Sequence, residues 1–263
     1  MEWAAYLGIG ALAGFAAGLL GIGGGVVMVP LLVLVFTAQG MPAEHVLHLA
    51  LGTALAAMVF TSLSSMRAHH AHGAVDWKIA RAMSPGMLVG SFGAALVAGL
   101  IPTRPLAVVF TAFVFYAATF ILVDLKPATS RELPGIAGIF TAGAVIGAIS
   151  SLLAAGGAFM TIPFLAWCKV PLRRAIGTAA ANGLPIAVAG TAGYLLQGWR
   201  VPALPAPSAG YVYLPALALV VTTSIAAAPL GARLAHRLLI KQLRTLFALL
   251  LYVFAARMLI GLW

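Results

Sequence analysis

Residues 19–32 read LLGIGGGVVMVPLL and residues 152–165 read LLAAGGAFMTIPFL. A shift of 133 positions lays Gly156 on Gly23, Gly157 on Gly24 and Pro163 on Pro30. Each copy is a knot of glycines inside a long apolar stretch, with a proline a few residues on. Both residue types interrupt helices, glycine through its conformational freedom and proline through its missing N–H. Glycine-interrupted apolar segments at matching places in two halves of a chain point to the binding site of a membrane transporter.

The rest of the composition agrees with a membrane setting. Of 263 residues, 63% are hydrophobic and 8% charged, whereas a soluble domain carries about 25% charged residues. A chain this apolar needs the bilayer as its solvent. Eight apolar stretches follow, over about 3–37, 45–66, 79–101, 105–124, 133–168, 175–197, 211–231 and 243–262. We expect an all-α polytopic membrane protein, one transport domain over residues 1–263. Its repeats cover about 1–124 and 133–263, with a linker at about 125–132. The formal charge of +10 sits mostly in short connections between apolar stretches, which is the positive-inside bias and not a nucleic-acid face. Cys168 is the single cysteine, so an intramolecular disulfide and a cysteine metal cluster are excluded. The N-terminus, MEWAAYLGIG, has no Lys or Arg ahead of its apolar run and reads as a retained first segment.

Stretches 3–37 and 133–168 are too long for one crossing. As straight helices they would run roughly 50 Å, against a hydrocarbon layer about 30 Å thick. Either each is one tilted, broken span, or each is a hairpin in which a shorter helix returns from the glycines to the side of entry. The basic residues judge between these. Single crossings divide the 15 Lys and Arg residues 8 to 7 between the two sides. Hairpins put Arg67, Lys78, Arg81, Lys126, Arg131, Lys169, Arg173, Arg174, Arg233, Arg237, Lys241 and Arg244 on one side, leaving Arg104, Arg200 and Arg257 on the other. The second division obeys the positive-inside rule. We therefore expect two inverted repeats, each a re-entrant hairpin plus about three spanning helices, in a bacterial inner membrane. The basic connections 67–82, 125–132, 169–174 and 232–244 then face the cytoplasm.

The duplication extends beyond the knots. LGTALAAM (51–58) resembles IGTAAANG (176–183), and FGAALVAGLIPTRPLAVVF (92–110) resembles LGARLAHRLLIKQLRTLF (230–247). With the GxGGGxxxVPLL and GGxxxxIPFL knots and the closing LGARLAHRL…LRTLFALLL, nearly the whole chain resembles the sulfite exporter TauE/SafE family of membrane permeases. That resemblance implies movement of small sulfur-containing anions such as sulfite or organosulfonates. The second knot departs from the first by carrying Ala154 opposite Gly21 and Ala158 opposite Gly25.

An anion taken out of water needs donors, and a helix N-terminus supplies unpaired N–H groups at the positive end of a dipole. In each hairpin the returning helix starts just after the glycines, near Val26 and Phe159. Gly23, Gly24, Gly25, Gly156 and Gly157 have no side chain to hold an anion off their amides. Pro30 and Pro163, about one turn on, fix the breaks and leave the Val26 and Phe159 carbonyls without their usual partners. Thr53, Thr178 and Asn182 are expected to complete a neutral polar shell. Ser150, Ser151 and Thr161 flank the second knot, and Thr222, Thr223 and Ser224 cluster in the seventh stretch. The bland alternative is close helix packing by the glycines and helix-to-helix hydrogen bonding by the polar residues.

All five acids, Glu2, Glu44, Asp76, Asp124 and Glu132, lie at ends or in connections, which argues against a buried carboxylate proton relay. His69, His70 and His72 could suggest a metal site, but they lie in a basic connection with only Asp76 near them in sequence. No metal, cofactor or catalytic centre is expected. The expected partners are a small anionic substrate, the lipid bilayer and possible homodimerisation. The rival readings are an anion channel and a histidine-based membrane metal protein.

Overall fold

The computed structural model describes residues 2–21, 23–123, 132–202, 204–235 and 241–261. They form ten helices: α1 (Glu2–Leu20), α2 (Gly25–Ala38), α3 (Val46–Ala71), α4 (Trp77–Ala98), α5 (Thr103–Val123), α6 (Ile136–Leu152), α7 (Ala158–Trp167), α8 (Leu172–Gly198), α9 (Leu214–Ala235) and α10 (Lys241–Gly261). A small antiparallel ribbon, β1 (Ser208–Ala209) with β2 (Val212–Tyr213), leads into α9. The chain is an all-α polytopic membrane protein. Helices α1, α3, α5, α8 and α9 are each long and apolar enough to cross a bilayer, while α2, α6, α7 and the apolar part of α10 are shorter. Large apolar side chains such as Phe60, Val89, Val109, Leu196 and Ile260 are exposed on the outside, as expected where lipid is the solvent. The expected linker at 125–132 lies outside the described residues except for its last position. So do residues 236–240 of the 232–244 connection.

The two over-long stretches are helix pairs, and each pair folds back on itself. In the first, Tyr6 near the start of α1 donates from its hydroxyl to Gln39 Oε1 just beyond α2, at 2.9 Å. The Tyr6 ring meets Phe36 edge-on, with centroids 6.3 Å apart. A Cβ built on Gly24 would lie 2.6 Å from the carbonyl oxygen of Ala13, so the chain has reversed direction within four residues of Leu20. In the second, Ile139 and Ile146 of α6 share an apolar cluster with Phe164 and Leu165 of α7.

The hairpins open toward opposite ends of the bundle. At one end, Asp76 N donates to Thr178 Oγ1 at 3.0 Å and Arg173 Nη2 to His72 O at 2.8 Å. The mouth of the second hairpin is here, because Leu165 and Val170 pack with Ile79 and Ala175. At the other end, Tyr213 N donates to Thr53 Oγ1 at 2.9 Å and Gln197 Nε2 to Leu96 O at 2.8 Å. The mouth of the first hairpin is here, with Phe36 edge-on to Tyr213 at 5.6 Å.

What positions the hairpins is a pair of close helix contacts that cross between the halves. Helix α1 runs along α9, and α6 along α4. At Gly10, Gly14 and Gly18 a Cβ would collide with the backbone of Val220, Ser224 and Ala228. At Gly86 and Gly90 it would collide with Phe140 and Ala144, and at Gly143 and Gly147 it would crowd Met83 and Met87. Small residues four apart let backbones touch where no hydrophobic effect draws helices together. Gly14→Leu and Gly90→Leu are therefore expected to lower the melting temperature in detergent, consistent with an overpacking cost of about 1–3 kcal/mol. Gly8→Leu and Gly93→Leu, where nothing lies within 4 Å of the new Cβ, should leave it unchanged.

Candidate functional site

The two glycine knots meet tip to tip inside the protein. A Cβ on Gly23 would lie 2.9 Å from Gly156 Cα. Gly25 closes against the carbonyl of Ala154. Gly23, Gly24, Gly25, Gly156 and Gly157 are all buried. Gly24 (φ 80°, ψ −14°) and Gly157 (φ 78°, ψ −21°) occupy the cap positions of α2 and α7 in the left-handed region, and neither helix start has a side-chain cap. The returning helices begin at Gly25 and Ala158, one residue before the positions expected from the sequence. The Ala154 departure leaves the turn intact, since it holds φ 47° where its counterpart Gly21 holds 69°.

The dipole ends at the tips are treated unequally. The first N–H groups of α2 and α7 have no partner within their own helices, and those ends carry partial positive charge. The arriving helices, whose ends are negative, have loop amides on their carbonyls. Ala155 N donates to Ser150 O at 2.8 Å and Gly21 N to Ala17 O at 2.9 Å. The tips thus bring two uncapped positive ends together. The prolines do not make the breaks. Pro30 and Pro163 lie inside α2 and α7, which continue past them to Ala38 and Trp167. The left-handed residues change the chain's direction, Gly21, Gly23 and Gly24 in the first knot and Ala154, Gly156 and Gly157 in the second, because a helix interior tolerates one missing hydrogen bond but not a run of left-handed residues.

Polar side chains gather on one knot more than on the other. Asn182, fully buried on α8, points Nδ2 at Met83 Sδ, 3.5 Å away, and its Oδ1 has no partner. Asn182 shares a helix face with Ile186, one turn on, whose Cδ1 would lie 2.6 Å from a Cβ on Gly157. Ser62 Oγ on α3 and Thr161 Oγ1 on α7 are also buried and unpartnered. Thr161 Oγ1 would lie 3.5 Å from that same Gly157 Cβ. A Cβ on Gly183 would lie 2.9 Å from Ser62 Oγ and 3.4 Å from Gly156 O. The first knot faces Met58 instead, whose Cε would be 2.9 Å from a Cβ on Gly23. Ser151 Oγ, likewise unpartnered, lies farther off, beside Gly190.

Met58, Ser62 and Met83 were not singled out in the sequence. A signal for Met58 was present: in the LGTALAAM and IGTAAANG copies it falls opposite Gly183, and each of the two packs on the knot of its own half.

Thr53 and Thr178 are buried but occupied by symmetric structural contacts. Thr178 accepts from Asp76 N, whose carboxylate caps α4 by accepting from Lys78 N and Ile79 N. Thr53 accepts from Tyr213 N, the residue before α9. Each therefore ties the start of a helix from the opposite half, about a turn and a half along its own helix from the residue that touches a knot. Thr53→Val and Thr178→Val are expected to lower stability by about 1 kcal/mol each, the usual worth of one such bond. Thermal denaturation checks this. Unchanged melting with lost uptake would instead put the hydroxyl on the substrate.

The remaining polar candidates spread outward. Thr222 and Thr223 donate to carbonyls of α9 and α1, and Ser224 accepts from Thr61 at 2.9 Å. The histidines diverge: His69 Nε2 lies 3.2 Å from Gly18 O, His70 Nδ1 accepts from Trp77 Nε1, and His72 Nδ1 lies 2.7 Å from Ala68 O. Among the described residues, no three His, Cys, Asp or Glu side chains group as a metal site.

The family model described as Sulfite exporter TauE/SafE matches residues 6–258. A probable membrane transporter protein of Haemophilus influenzae is 34% identical over 252 residues, covering 95% of each chain. The probable membrane transporter protein YdhB of Bacillus subtilis is 30% identical, over 72% of this chain and 77% of that one. A probable membrane transporter protein of Methanocaldococcus jannaschii is 26% identical over 96% of this chain and 93% of its own. No solved structure matches.

Proposed function

The chain belongs to the sulfite exporter TauE/SafE family, and from that premise we propose that it is a permease for small sulfur-containing anions such as sulfite or an organosulfonate. The observation that carries this reading is the meeting of two uncapped helix N-termini at Gly23 and Gly156, with Asn182, Ser62 and Thr161 around the second. Such a centre offers backbone amides and neutral hydroxyl or amide groups. These replace an oxyanion's hydration without binding it so tightly that release fails.

The arrangement of the hairpins supports transport by alternating access. Their mouths lie at opposite ends, which supports an inverted repeat with the substrate site at its interface. With the knots in contact the centre is shut off from both ends. Withdrawal of one hairpin tip would open it toward one end, and withdrawal of the other tip toward the opposite end. Arg67, Lys78, Arg81, Lys169, Arg173, Arg174 and Arg233 belong to helix ends and connections at the Asp76 end, while Arg104 and Arg200 belong to the Tyr213 end. By the positive-inside rule the Asp76 end is then the cytoplasmic face of a bacterial inner membrane.

Purified protein in proteoliposomes is expected to take up labelled sulfite, or a small sulfonate, with saturation and mutual competition. Uptake rising with concentration without saturation would favour a channel. No uptake of either anion would overturn the proposal.

A further inference from the structure

We infer that the species carried is a singly charged oxyanion, so that a dibasic acid crosses only in its monoprotonated form; this presupposes the permease reading above. Three observations at the knots point to it.

The first is the amount of positive charge available. Each uncapped helix N-terminus is worth roughly half an elementary charge, so α2 and α7 together offer about one. Nothing among the described residues adds to this. On the elements around the knots the ionisable side chains are Glu2 and Tyr6 on α1, His48, Arg67, His69 and His70 on α3, Lys78 and Arg81 on α4, Arg104 and Tyr116, both exposed, on α5, and Arg173, Arg174 and Tyr194 on α8; His48 is ten residues along α3 from Met58. Glu44, His45, His72, Asp76, Cys168 and Lys169 stand in the flanking connections, and α2, α6 and α7 carry none. Arg81 is two residues from Met83 but on the exposed face, its guanidinium 6.0 Å from the Trp77 ring centre. Asn182 is two turns or more along α8 from Arg174 and Tyr194, and Ser62 is more than a turn along α3 from Arg67.

The second is desolvation. The cost of burying an ion rises with the square of its charge, so a dianion costs about fourfold more than a monoanion to bring to this buried centre. The same two dipole ends must meet that larger cost.

The third is Asn182. Met83 sulfur can only accept, so Nδ2 faces it and the carbonyl oxygen is the atom left over. A buried acceptor is repelled by a deprotonated oxyanion in proportion to its charge, so it weighs more heavily against a dianion than against a monoanion, and it is satisfied outright by an oxyanion that brings a proton. The hydroxyls of Ser62 and Thr161 turn to donate to the remaining oxygens. The proton then rides on the substrate, and no carboxylate in the membrane is required to move it.

The test compares initial uptake of labelled sulfite and labelled methanesulfonate into proteoliposomes of the intact protein. Total concentration is fixed, the pH rises from neutral, and protein-free vesicles are subtracted. Methanesulfonate stays singly charged throughout, while sulfite loses its last proton near neutrality. Sulfite uptake is expected to fall by about tenfold per pH unit once most of it is dianion, the dilution of the monoprotonated form, while methanesulfonate uptake stays flat. Sulfate, a dianion across the range, should not be carried. Sulfite uptake as flat as that of methanesulfonate overturns the inference and leaves the permease standing. Both anions falling together overturns it also, since the protein would then be titrating. Uptake of neither removes the permease reading and this inference with it.

Discussion

Gly23→Val is expected to abolish uptake while the protein still inserts and purifies. Residue 23 has φ +73°, and its Cβ would stand 2.9 Å from both Gly156 Cα and Met58 Cε. A left-handed residue with a side chain costs about 1–2 kcal/mol, and crowding against a fixed backbone adds about 1–3 kcal/mol. The backbone cost lowers stability, and the crowding disfavours contact between the tips by roughly fivefold to a hundredfold relative to separated tips, at about 1.4 kcal/mol per tenfold. A carrier that cannot close its centre cannot complete a cycle. Gly21→Ala is the matched control. Its counterpart is already Ala154, in the same left-handed region, and the nearest atom to the new Cβ is 3.2 Å away. Uptake assays on both variants, with size-exclusion profiles to show intact protein, check the pair. Normal uptake by Gly23→Val would remove the knots from the transport path.

Asn182→Leu is expected to separate stability from function in opposite directions. Asn182 is fully buried, with one weak contact to sulfur and an oxygen without a partner. Leaving a buried polar atom unsatisfied costs about 1–3 kcal/mol, and an apolar residue of similar size removes that cost. The melting temperature should therefore hold or rise. Uptake should fall by at least about tenfold, the worth of one lost hydrogen bond to an ion. If Asn182 were only a packing residue, both would change little. If it held the helices together, both would fall.

The architecture was legible where the signal was repeated or summed over many residues. The doubled knot located the two breaks, stretches 3–37 and 133–168 were too long for one straight crossing, the division of Lys and Arg favoured hairpins, and α1–α2 and α6–α7 are folded-back pairs. The polar shell was less legible, because one residue type serves several purposes. Thr53 and Thr178 sit at equivalent positions in both halves, which suits a binding pair equally well as a pair of helix ties. Only their partners, Tyr213 N and Asp76 N, show the contact each makes. Pro30 and Pro163 read as breaks because the hydrogen bond proline removes is visible in sequence, whereas the helix packing that carries α2 and α7 through it is not. Gly10, Gly14 and Gly18 went unread because small residues abound in this chain, and their spacing acquires meaning only once α9 lies against them. The polar bias toward the second knot depends on Ser62 from the first half approaching Gly183 of the second, a contact no local pattern records.

The most direct test of a single centre served alternately from both ends is counterflow. Proteoliposomes preloaded with unlabelled sulfite are diluted into trace labelled sulfite, and the label inside is followed over time. An alternating-access carrier predicts a transient accumulation of label well above that in unloaded vesicles, and its absence in Gly23→Val. Equal label uptake with and without the internal load would contradict the account.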